Sequence, residues 1–426
     1  MRRLYTLLLY LLIPAVLLRL AWRGFQLPGY WRRIPERFGF ITPPVLPAQA
    51  YTVWLHAVSV GEAQAAVPLV QKLIAYDARL RIVLTTMTPT GAAHVRDKLG
   101  DEVTHYYVPY DLPGAVRRFL RRAQPRAAII METELWPNIF HCCAAQSIPL
   151  VLANARMSER SARRYARVRS LISETLRRVT AIAAQSAPDA ERIMGLGAPR
   201  ERVRVTGSIK FDIKLPASLR EQAAVLRRSL GTERALWIAA STHEGEEDLI
   251  LDAHAAVRQA LPHSLLMLVP RHPERFARVA ALCRKREWRT LLRSEGHACD
   301  ERTDVFIGDS MGELPLFYAA SDVAFVGGSL VAVGGHNLIE PAALGLPLIT
   351  GPHMFNFTEV SRMLREAGAV TEVANVAELA TAVVRYLQDA NLRHAAGERG
   401  RRLVEQNRGA LQKLIELLDC YLPGRA

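Results

Sequence analysis

The chain has 426 residues, half of them hydrophobic and 23% charged, which excludes a disordered chain and predicts two or three globular domains. Its five cysteines show no CxxC or metal-type spacing, so we expect free thiols in a reducing compartment. The net charge of +14 is compatible with nucleic acid, an anionic membrane or a phosphorylated substrate. Because no zinc finger or RNA-recognition motif occurs, we expect no nucleic-acid partner.

An apolar run extends from Leu4 to Leu18 and continues through residues 20–22, just long enough to cross a bilayer, which needs about 20 residues. A cleaved signal peptide fits poorly because arginines, not small residues, follow the run; a buried soluble helix is the other alternative. We predict a membrane anchor, spanning or monotopic, at residues 1–23 and a basic membrane-proximal segment at 24–50. Arginines after the run outnumber those before it, which places the body of the chain on the cytoplasmic side. The arginines between Arg19 and Arg37 are expected to contact anionic headgroups.

From residue 51 onward, short apolar runs alternate with helical patterns such as 63–75 and 158–178. These runs lack polar alternation, which is typical of parallel strands buried on both faces. The predicted strands are residues 53–59, 81–86, 127–131, 149–153, 181–184, 236–240, 264–269, 303–307, 323–327 and 348–350. Repeated strand–helix units predict an α/β fold with two doubly wound, Rossmann-like domains and a cleft between them.

The alternation of strands and helices is interrupted near residue 207 and then resumes, and this interruption sets the predicted domain boundaries. They are an N-terminal Rossmann-like domain at 51–206, a linker at 207–220, a C-terminal Rossmann-like domain at 221–405 and a C-terminal helix at 406–426. The amphipathic segment 409–421 is expected to pack back onto the first domain.

The strongest motif runs from Gly327-Gly328-Ser329 to Gly334-Gly335-His336-Asn337 and Glu340. It follows a predicted strand and leads into a helix that we expect to start near His336 or Asn337. Glycines at such a junction let backbone amides approach a phosphate, and a carboxylate on the first helical turn can bind ribose hydroxyls. A tight turn with a helix-start glutamate is the alternative. We predict a nucleotide-sugar site here.

Ser241 and Thr242 follow another predicted strand, where they can cap the next helix and donate hydroxyls to a phosphate. Glu246 and Glu247 are expected to stabilise the first turn of that helix. Helix capping alone would explain the same residues.

Two further blocks follow predicted strands of the second domain. Arg271, followed by His272, suits bidentate contact with a phosphate, although a surface salt bridge is an equal alternative. The loop containing Met311, Gly312 and Glu313 suits contact with a nucleotide base, and an ordinary capped loop is the alternative.

Three histidines follow strands of the second domain: His243, His272 and His336. Because they are far apart in sequence, we expect hydrogen-bonding roles and no metal.

In the first domain, Ser59 and Gly61 precede Glu62 at the point where a strand passes into a helix. Sites in open α/β sheets lie at such strand ends, and Gly61 permits close approach of an acceptor. A carboxylate there can be the general base that deprotonates a sugar hydroxyl. A glutamate that merely stabilises a helix start is the alternative.

A second acidic block in the first domain contains Glu132, Glu134, Trp136 and Asn138. These residue types suit hydrogen bonding to sugar hydroxyls and packing on an apolar ring face. Lys210, within the predicted linker, is placed to meet an anionic group; an ion pair with Asp212 or a hinge is the alternative.

These blocks together resemble the bacterial 3-deoxy-D-manno-octulosonic acid (Kdo) transferases of lipopolysaccharide assembly, and the resemblance covers nearly the whole chain. The matching segments are residues 59–62, 132–138, 207–212, 241–247, 270–275, 334–337 and 351–356, together with the N-terminal anchor.

The resemblance implies a GT-B fold and an inverting, metal-independent glycosyltransferase without a cofactor, at the bacterial inner membrane. It implies CMP-Kdo as donor and the lipid A precursor, lipid IVA, as acceptor, with Glu62 as the catalytic base. It assigns CMP binding to Ser241, Arg271, Met311, Gly312, Asn337 and Glu340. It links Glu132 and Lys210 to the reacting sugar or the acceptor.

Two other functions remain open at this point. One is a UDP-sugar-dependent glycolipid transferase of the same fold, and the other is a non-catalytic membrane-bound nucleotide-sugar sensor. The number of Kdo residues transferred and the oligomeric state do not follow from the sequence.

Overall fold

The computed structural model describes residues 1–422, which form two compact units. The first comprises Met1–Asp212 and resumes at Arg408, and the second comprises Ile213–Asn407. Each unit contains a seven-stranded sheet in which every pairing is parallel, which confirms the predicted fold class of two doubly wound α/β domains.

The sheet of the first unit has the strand order β3-β2-β1-β4-β5-β6-β7. Its strands are β1 Tyr51–His56, β2 Leu80–Thr86, β3 Val103–Tyr107, β4 Pro125–Met131, β5 Leu150–Ala155, β6 Ala181–Ala184 and β7 Val203–Val205. Side chains alternate between two cores, with Val53 and Leu55 on one face and Trp54 on the other. The apolar runs are therefore buried on both faces, as their composition predicts.

Eight helices accompany these strands in residues 1–212. They are α1 Arg2–Gln26, α2 Val60–Tyr76, α3 Pro89–Leu99, α4 Pro113–Ala123, α5 Pro137–Ala145, α6 Glu159–Ala166, α7 Arg169–Leu176 and α8 Ala187–Gly195. The single helix predicted at 158–178 is wrong, since Arg167 and Val168 separate α6 from α7.

Helix α1 confirms the predicted N-terminal apolar helix and continues through Pro14. Residues 2–25 are long and apolar enough to cross a membrane, with a mean hydropathy of 2.1. The expectation that the following arginines all contact headgroups is wrong for Arg37, which is 2% exposed and donates to the Met87 carbonyl. Arg33 also binds within the unit, to Glu36 at 2.6 Å.

The sheet of the second unit has the order β10-β11-β9-β8-β12-β13-β14. Its strands are β8 Leu236–Thr242, β9 Leu265–Pro270, β10 Thr290–Leu292, β11 Val305–Ile307, β12 Val323–Val326, β13 Leu348–Thr350 and β14 Val370–Glu372. Its helices are α9 Leu219–Leu230, α10 Glu246–Ala260, α11 Phe276–Lys285, α12 Leu314–Ala320, α13 Ile339–Ala343, α14 Thr358–Glu366, α15 Val376–Gln388 and α16 Ala390–Gln406.

The last helix, α17 Ala410–Asp419, belongs to the first unit, as the amphipathic pattern of 409–421 predicts. Leu414 and Leu418 are fully buried in the core that also contains Val53 and Leu55. Asp212 accepts hydrogen bonds from the Gly409 and Leu411 amides at 2.6 and 2.5 Å, which fixes the start of this helix.

Candidate functional site

Glu62 lies on the first turn of α2, directly after β1. Ser59 caps that helix by accepting from the Glu62 amide at 3.2 Å. The Glu62 carboxylate in turn accepts from the Val58 amide at 2.8 Å and from the Ser59 hydroxyl at 2.9 Å. Ser59 and Gly61 are exposed, whereas Glu62 is 8% exposed. The cap therefore holds a nearly buried carboxylate beneath an open surface.

The pKa of Glu62 is raised to about 7, chiefly because burial disfavours the ionised carboxylate. The negative charges of Glu134 and Glu132 raise this pKa further, and the hydrogen bonds from Val58 and Ser59 oppose the rise. A carboxylate with this pKa exchanges a proton near neutral pH, as a general base must.

The acidic block after β4 surrounds this position, since β4 is the neighbour of β1 in the sheet. Glu132 adopts a left-handed backbone conformation and pairs with Lys210 at 3.1 Å. Glu134 accepts from the Trp136 indole at 3.0 Å, and burial raises its pKa. The structure thus brings four predicted residues of this edge together with Glu62.

Asn138 lies beneath this edge instead of on its surface, contrary to the expectation of sugar contact. Its side chain is fully buried and donates to the Asp111 carbonyl at 2.7 Å. Its amide oxygen accepts from Arg2 and Thr6 of α1. Asn138 therefore joins α1 to the start of α5, and Asp111, which the sequence did not single out, shares this role.

The backbone amides of Gly328 and Ser329 already have a hydrogen-bond acceptor within the protein. They donate, together with the Leu330 amide, to the carboxylate of Glu246 at 2.7 to 3.0 Å. Glu246 is fully buried, and it also accepts from the His243 amide at 3.3 Å. The predicted phosphate contact at this turn is wrong, because a carboxylate of the protein already occupies its donors.

Gly334 and Gly335 are likewise bound internally, since both amides donate to the Gly328 carbonyl, at 3.1 and 2.8 Å. Both have positive φ, and a Cβ at Gly334 would lie 2.3 Å from the Asn356 side-chain nitrogen. These glycines are required for a tight turn and close packing. Their amides cannot be the main phosphate ligands.

The helix after this turn begins at Ile339, two to three residues later than predicted. Asn337 donates to Glu340 at 3.1 Å and accepts from the Ile339 amide at 3.0 Å. Burial raises the pKa of Glu340, and its bond from Asn337 opposes the rise. A helix of five residues supplies little dipole, so its start attracts an anion only weakly.

Ser241 and Thr242, which follow Ala240, differ in whether their side chains are bonded inside the unit. Ser241 has a left-handed φ of 59° and is 7% exposed, whereas Thr242 is fully buried. Thr242 donates to Glu247 at 2.9 Å, and Arg275 pairs with that same carboxylate. Neither residue caps α10, whose N-cap is Gly245. The Thr242 hydroxyl is therefore engaged inside the unit.

Three histidines meet in the second unit although they are far apart in sequence. The Nε2 atoms of His243 and His336 are 2.7 Å apart, with ring planes 2° apart. The His272 ring lies 5.4 Å from that of His243. Burial lowers the pKa of His336 to about 4 and also lowers that of His243. One ring donates and the other accepts, so at least one is neutral.

The signal for this meeting is present in the sequence, because the histidines follow β8, β9 and β12, which are neighbours in the sheet. In residues 1–422 no group of three or more His, Cys, Asp or Glu side chains has an arrangement that holds a metal ion. Arg271 and His272 are exposed beside the histidine pair, so their side-chain N–H groups can donate to an anion.

The block that follows β11 presents a surface of mixed character. Met311 is 62% exposed, and Gly312 has a φ of 84°. Glu313 is the N-cap that precedes α12, and its carboxylate accepts two hydrogen bonds from Arg293 at 2.9 and 3.1 Å and one from the Ser310 hydroxyl. Glu313 is thus committed to this ion pair, while Met311 is free to contact a ligand.

Two doubly wound units, each with a parallel seven-stranded sheet, are the architecture of the GT-B class. The model of glycosyl transferases group 1 matches residues 237–403. The fold resembles that of MurG from Acinetobacter baumannii at 10% identity and a TM-score of 0.54, covering 86% of this chain and 99% of that one.

The model of the 3-deoxy-D-manno-octulosonic-acid transferases matches residues 32–213. The chain is 44% identical over 419 residues to the 3-deoxy-D-manno-octulosonic acid transferase of Haemophilus influenzae, covering 98% of each chain. It is 37% identical over 432 residues to that of Bordetella pertussis, covering 99% of each. The chain belongs to the Kdo transferase family and is a glycosyltransferase. This sets aside the non-catalytic sensor and the UDP-sugar transferase.

Proposed function

We propose that this enzyme transfers Kdo from CMP-Kdo to the lipid A precursor, lipid IVA, in a single inverting displacement with Glu62 as general base. The observation that carries the proposal is a nearly buried carboxylate with a pKa of about 7 at the carboxyl edge of the first sheet. Within residues 1–422, Glu62 forms no salt bridge, whereas Glu132 pairs with Lys210 at 3.1 Å.

In the proposed step, the Glu62 carboxylate removes the proton from an acceptor hydroxyl. The acceptor oxygen forms a bond to the anomeric carbon of Kdo while the bond from that carbon to the phosphate oxygen breaks. The electron pair leaves with CMP, and the configuration inverts. Because the phosphate is a good leaving group, the enzyme supplies a base on one side and cations on the other.

For the donor, we propose Ser241, Arg271, His272, Met311, Gly312, His336, Asn337 and Glu340 as the binding residues. Arg271 and His272 are exposed and suit the phosphate, and Met311 suits the base. Glu340 suits the ribose hydroxyls, since the hydrogen bond that it accepts from Asn337 leaves its carboxylate further acceptor capacity. Thr242, Gly334 and Gly335 shape this site from beneath.

For the acceptor or the Kdo carboxylate, we propose Ser59, Gly61, Glu132, Glu134, Trp136 and Lys210. The ion pair of Lys210 with Glu132 places one cation among the acids, where it can meet an anionic group of the sugar. Helix α1 supports a location at the bacterial inner membrane, and the arginine bias supports the cytoplasmic side.

The test is incubation of the purified enzyme with labelled CMP-Kdo and lipid IVA, followed by separation of the lipid product. We expect one or more Kdo units on the lipid, and no lipid-bound label would contradict the proposal. Thermal protection by CMP and not by UDP would support the donor, whereas protection by UDP alone would overturn it.

A further inference from the structure

The first two turns of α1 are bonded to the body of the first unit. Tyr5 donates to the Asp111 carboxylate at 2.9 Å, and Thr6 donates to Asn138 at 3.0 Å. Arg2 donates to the same Asn138 oxygen at 3.1 Å. Asp111 and Asn138 are 3% and 0% exposed, so these bonds fix the start of the helix to the interior of the unit.

The chain is bonded to the same body just after the other end of α1. Trp31 folds back and donates its indole N–H to the Ala21 carbonyl at 3.0 Å. Arg33 then binds the His105 ring at 3.1 Å, and the Arg37 guanidinium lies 4.2 Å from the Tyr107 ring centre. The start of α1 and the segment from Arg33, seven residues after the helix ends, are therefore held by one unit.

The attachment points lie along one edge of the first sheet. Asp111 follows β3, Met87 follows β2 and Asn138 follows β4, and Glu62 follows β1 between them in the strand order. Carboxyl ends of parallel strands meet at one edge, so the start of α1 and the segment that follows the helix are both bonded at the edge that carries the proposed base.

One face of α1 is turned toward the body, and the rest is apolar and exposed. The half-buried positions Arg2, Tyr5, Thr6, Leu9 and Ile13 recur at spacings of three and four. The exposed apolar side chains, 40% to 77% accessible, include Leu4, Leu7, Leu8, Leu11, Leu12, Leu17, Leu18, Trp22 and Phe25. A continuous apolar surface of this size requires a cover.

The cover that this chemistry fits is an anionic phospholipid bilayer. The exposed face of α1 is aliphatic and aromatic, and Arg3, Arg19 and Arg32 are exposed beside it, as suits lipid tails and phosphate headgroups.

If α1 crossed the bilayer perpendicular to the membrane plane, the bonds at the start of the helix and those made from Arg33 onward could not both form. Thr6 and Arg23 are separated by about 25 Å along a helix that rises about 1.5 Å per residue. A bilayer core about 30 Å thick would then lie between the Asn138 contact and the Arg33 contact. Both contacts are made by one folded unit, so crossing would break one set.

We propose that α1 lies in the plane of the membrane surface, with its N-terminus on the same side as the body of the protein. This inference rests on the proposed membrane location and deepens it. It places the edge that carries Glu62 at the lipid surface, where a glycolipid acceptor resides.

The test uses cysteine labelling of the full-length enzyme in membranes. Cys420 is exposed and reports the side of the first unit, Cys299 is half-buried, and Cys142, Cys143 and Cys283 are buried. One variant carries Cys299→Ser alone. The second adds Arg3→Cys and Cys420→Ser, which moves the reactive thiol to the exposed start of α1.

Both proteins are treated with a membrane-impermeant maleimide in inverted inner-membrane vesicles and in spheroplasts. We expect the two thiols to react from the same side, each at least tenfold more in one preparation. Labelling from opposite sides would show a spanning helix and overturn the inference. Release of both proteins by high salt would overturn bilayer insertion.

Kdo transfer to added lipid IVA is measured on the same vesicles. Active vesicles with opposite-side labelling would overturn the in-plane helix alone. Inactive vesicles with same-side labelling would overturn the proposed activity alone.

Discussion

Glu62 and Glu246 occupy the same topological place in the two units, but the hydrogen bonds that their carboxylates accept are very different. Each lies on the first turn of the helix after the first strand of its sheet, β1 or β8. Glu246 is fully buried and accepts four backbone N–H groups. Glu62 accepts one backbone N–H and one hydroxyl, beside further acids. Four backbone amides stabilise Glu246 as a structural carboxylate. Glu62, with a single amide donor, suits the proposed role in proton transfer.

The largest expected effect is loss of transfer in Glu62→Gln. The amide keeps the shape and can still accept from Val58, but it cannot accept a proton. We expect kcat to fall by about 10²- to 10⁴-fold, with thermal protection by CMP unchanged. Near-normal turnover in a labelled-donor assay would remove Glu62 from the mechanism.

The next largest effect is expected for Glu246, whose replacement should lower stability, whereas replacement of Glu62 should lower activity. Glu246→Ala leaves three buried amides of residues 328–330 without their acceptor, at about 1 kcal/mol or more each. We expect the free energy of unfolding in urea to fall by about 3 kcal/mol.

The matched control is Glu244→Ala, whose carboxylate pairs on the surface with the exposed Arg278. It should change stability by less than about 0.5 kcal/mol. Equal stability of the two variants would contradict the structural role of Glu246.

A third prediction concerns pH. A base acts only when ionised, so kcat/KM should fall tenfold per unit as pH drops below about 7, the pKa of Glu62. Glu134→Gln removes a negative charge that raises this pKa, and the acid limb should move to lower pH. A profile that is flat through neutral pH would argue against Glu62 as the titrating group.

The smallest effect is expected for Ser59→Ala, which removes both a helix cap and a hydroxyl that lowers the pKa of Glu62. Stability should fall by about 1 kcal/mol. The acid limb should move to higher pH, opposite to the Glu134→Gln shift.

Thr88→Ala is the matched control, because Thr88 caps α3 by accepting from Gly91 at 3.1 Å. It should lose similar stability without any change in the pH profile. A common shift in both variants would assign the effect to folding instead of to Glu62.

The sequence predicts ten of the fourteen strands in residues 1–422, and the four that it misses are the edge strands of the two sheets. These are β3, β7, β10 and β14, which are short or carry polar residues such as Thr104, Arg204 and Glu372. The prediction depended on apolar runs buried on both faces. An edge strand is partly exposed, so it lacks that signature.

For the candidate site, the sequence predicts what depends on local motifs but not what depends on contacts between distant segments. Glu62, Glu132 and Arg271 each follow a predicted strand, so their positions at strand ends can be predicted from the order of strands and helices alone. The partner of the Gly328 amide lies 82 residues away, so the sequence could not show that Glu246 already occupies it. The burial of Asn138 by α1 likewise depends on a contact across 132 residues.

The return of α17 to the first unit has a consequence for biosynthesis. Leu411 binds Asp212 across 199 residues of chain, so the first core stays incomplete while the whole second unit is translated. At about 5–20 residues per second, that interval lasts about 10–40 s. The second unit is contiguous and can close earlier. A ribosome stall or a nick just before Arg408 would therefore leave the second unit intact and deprive the first of its final helix.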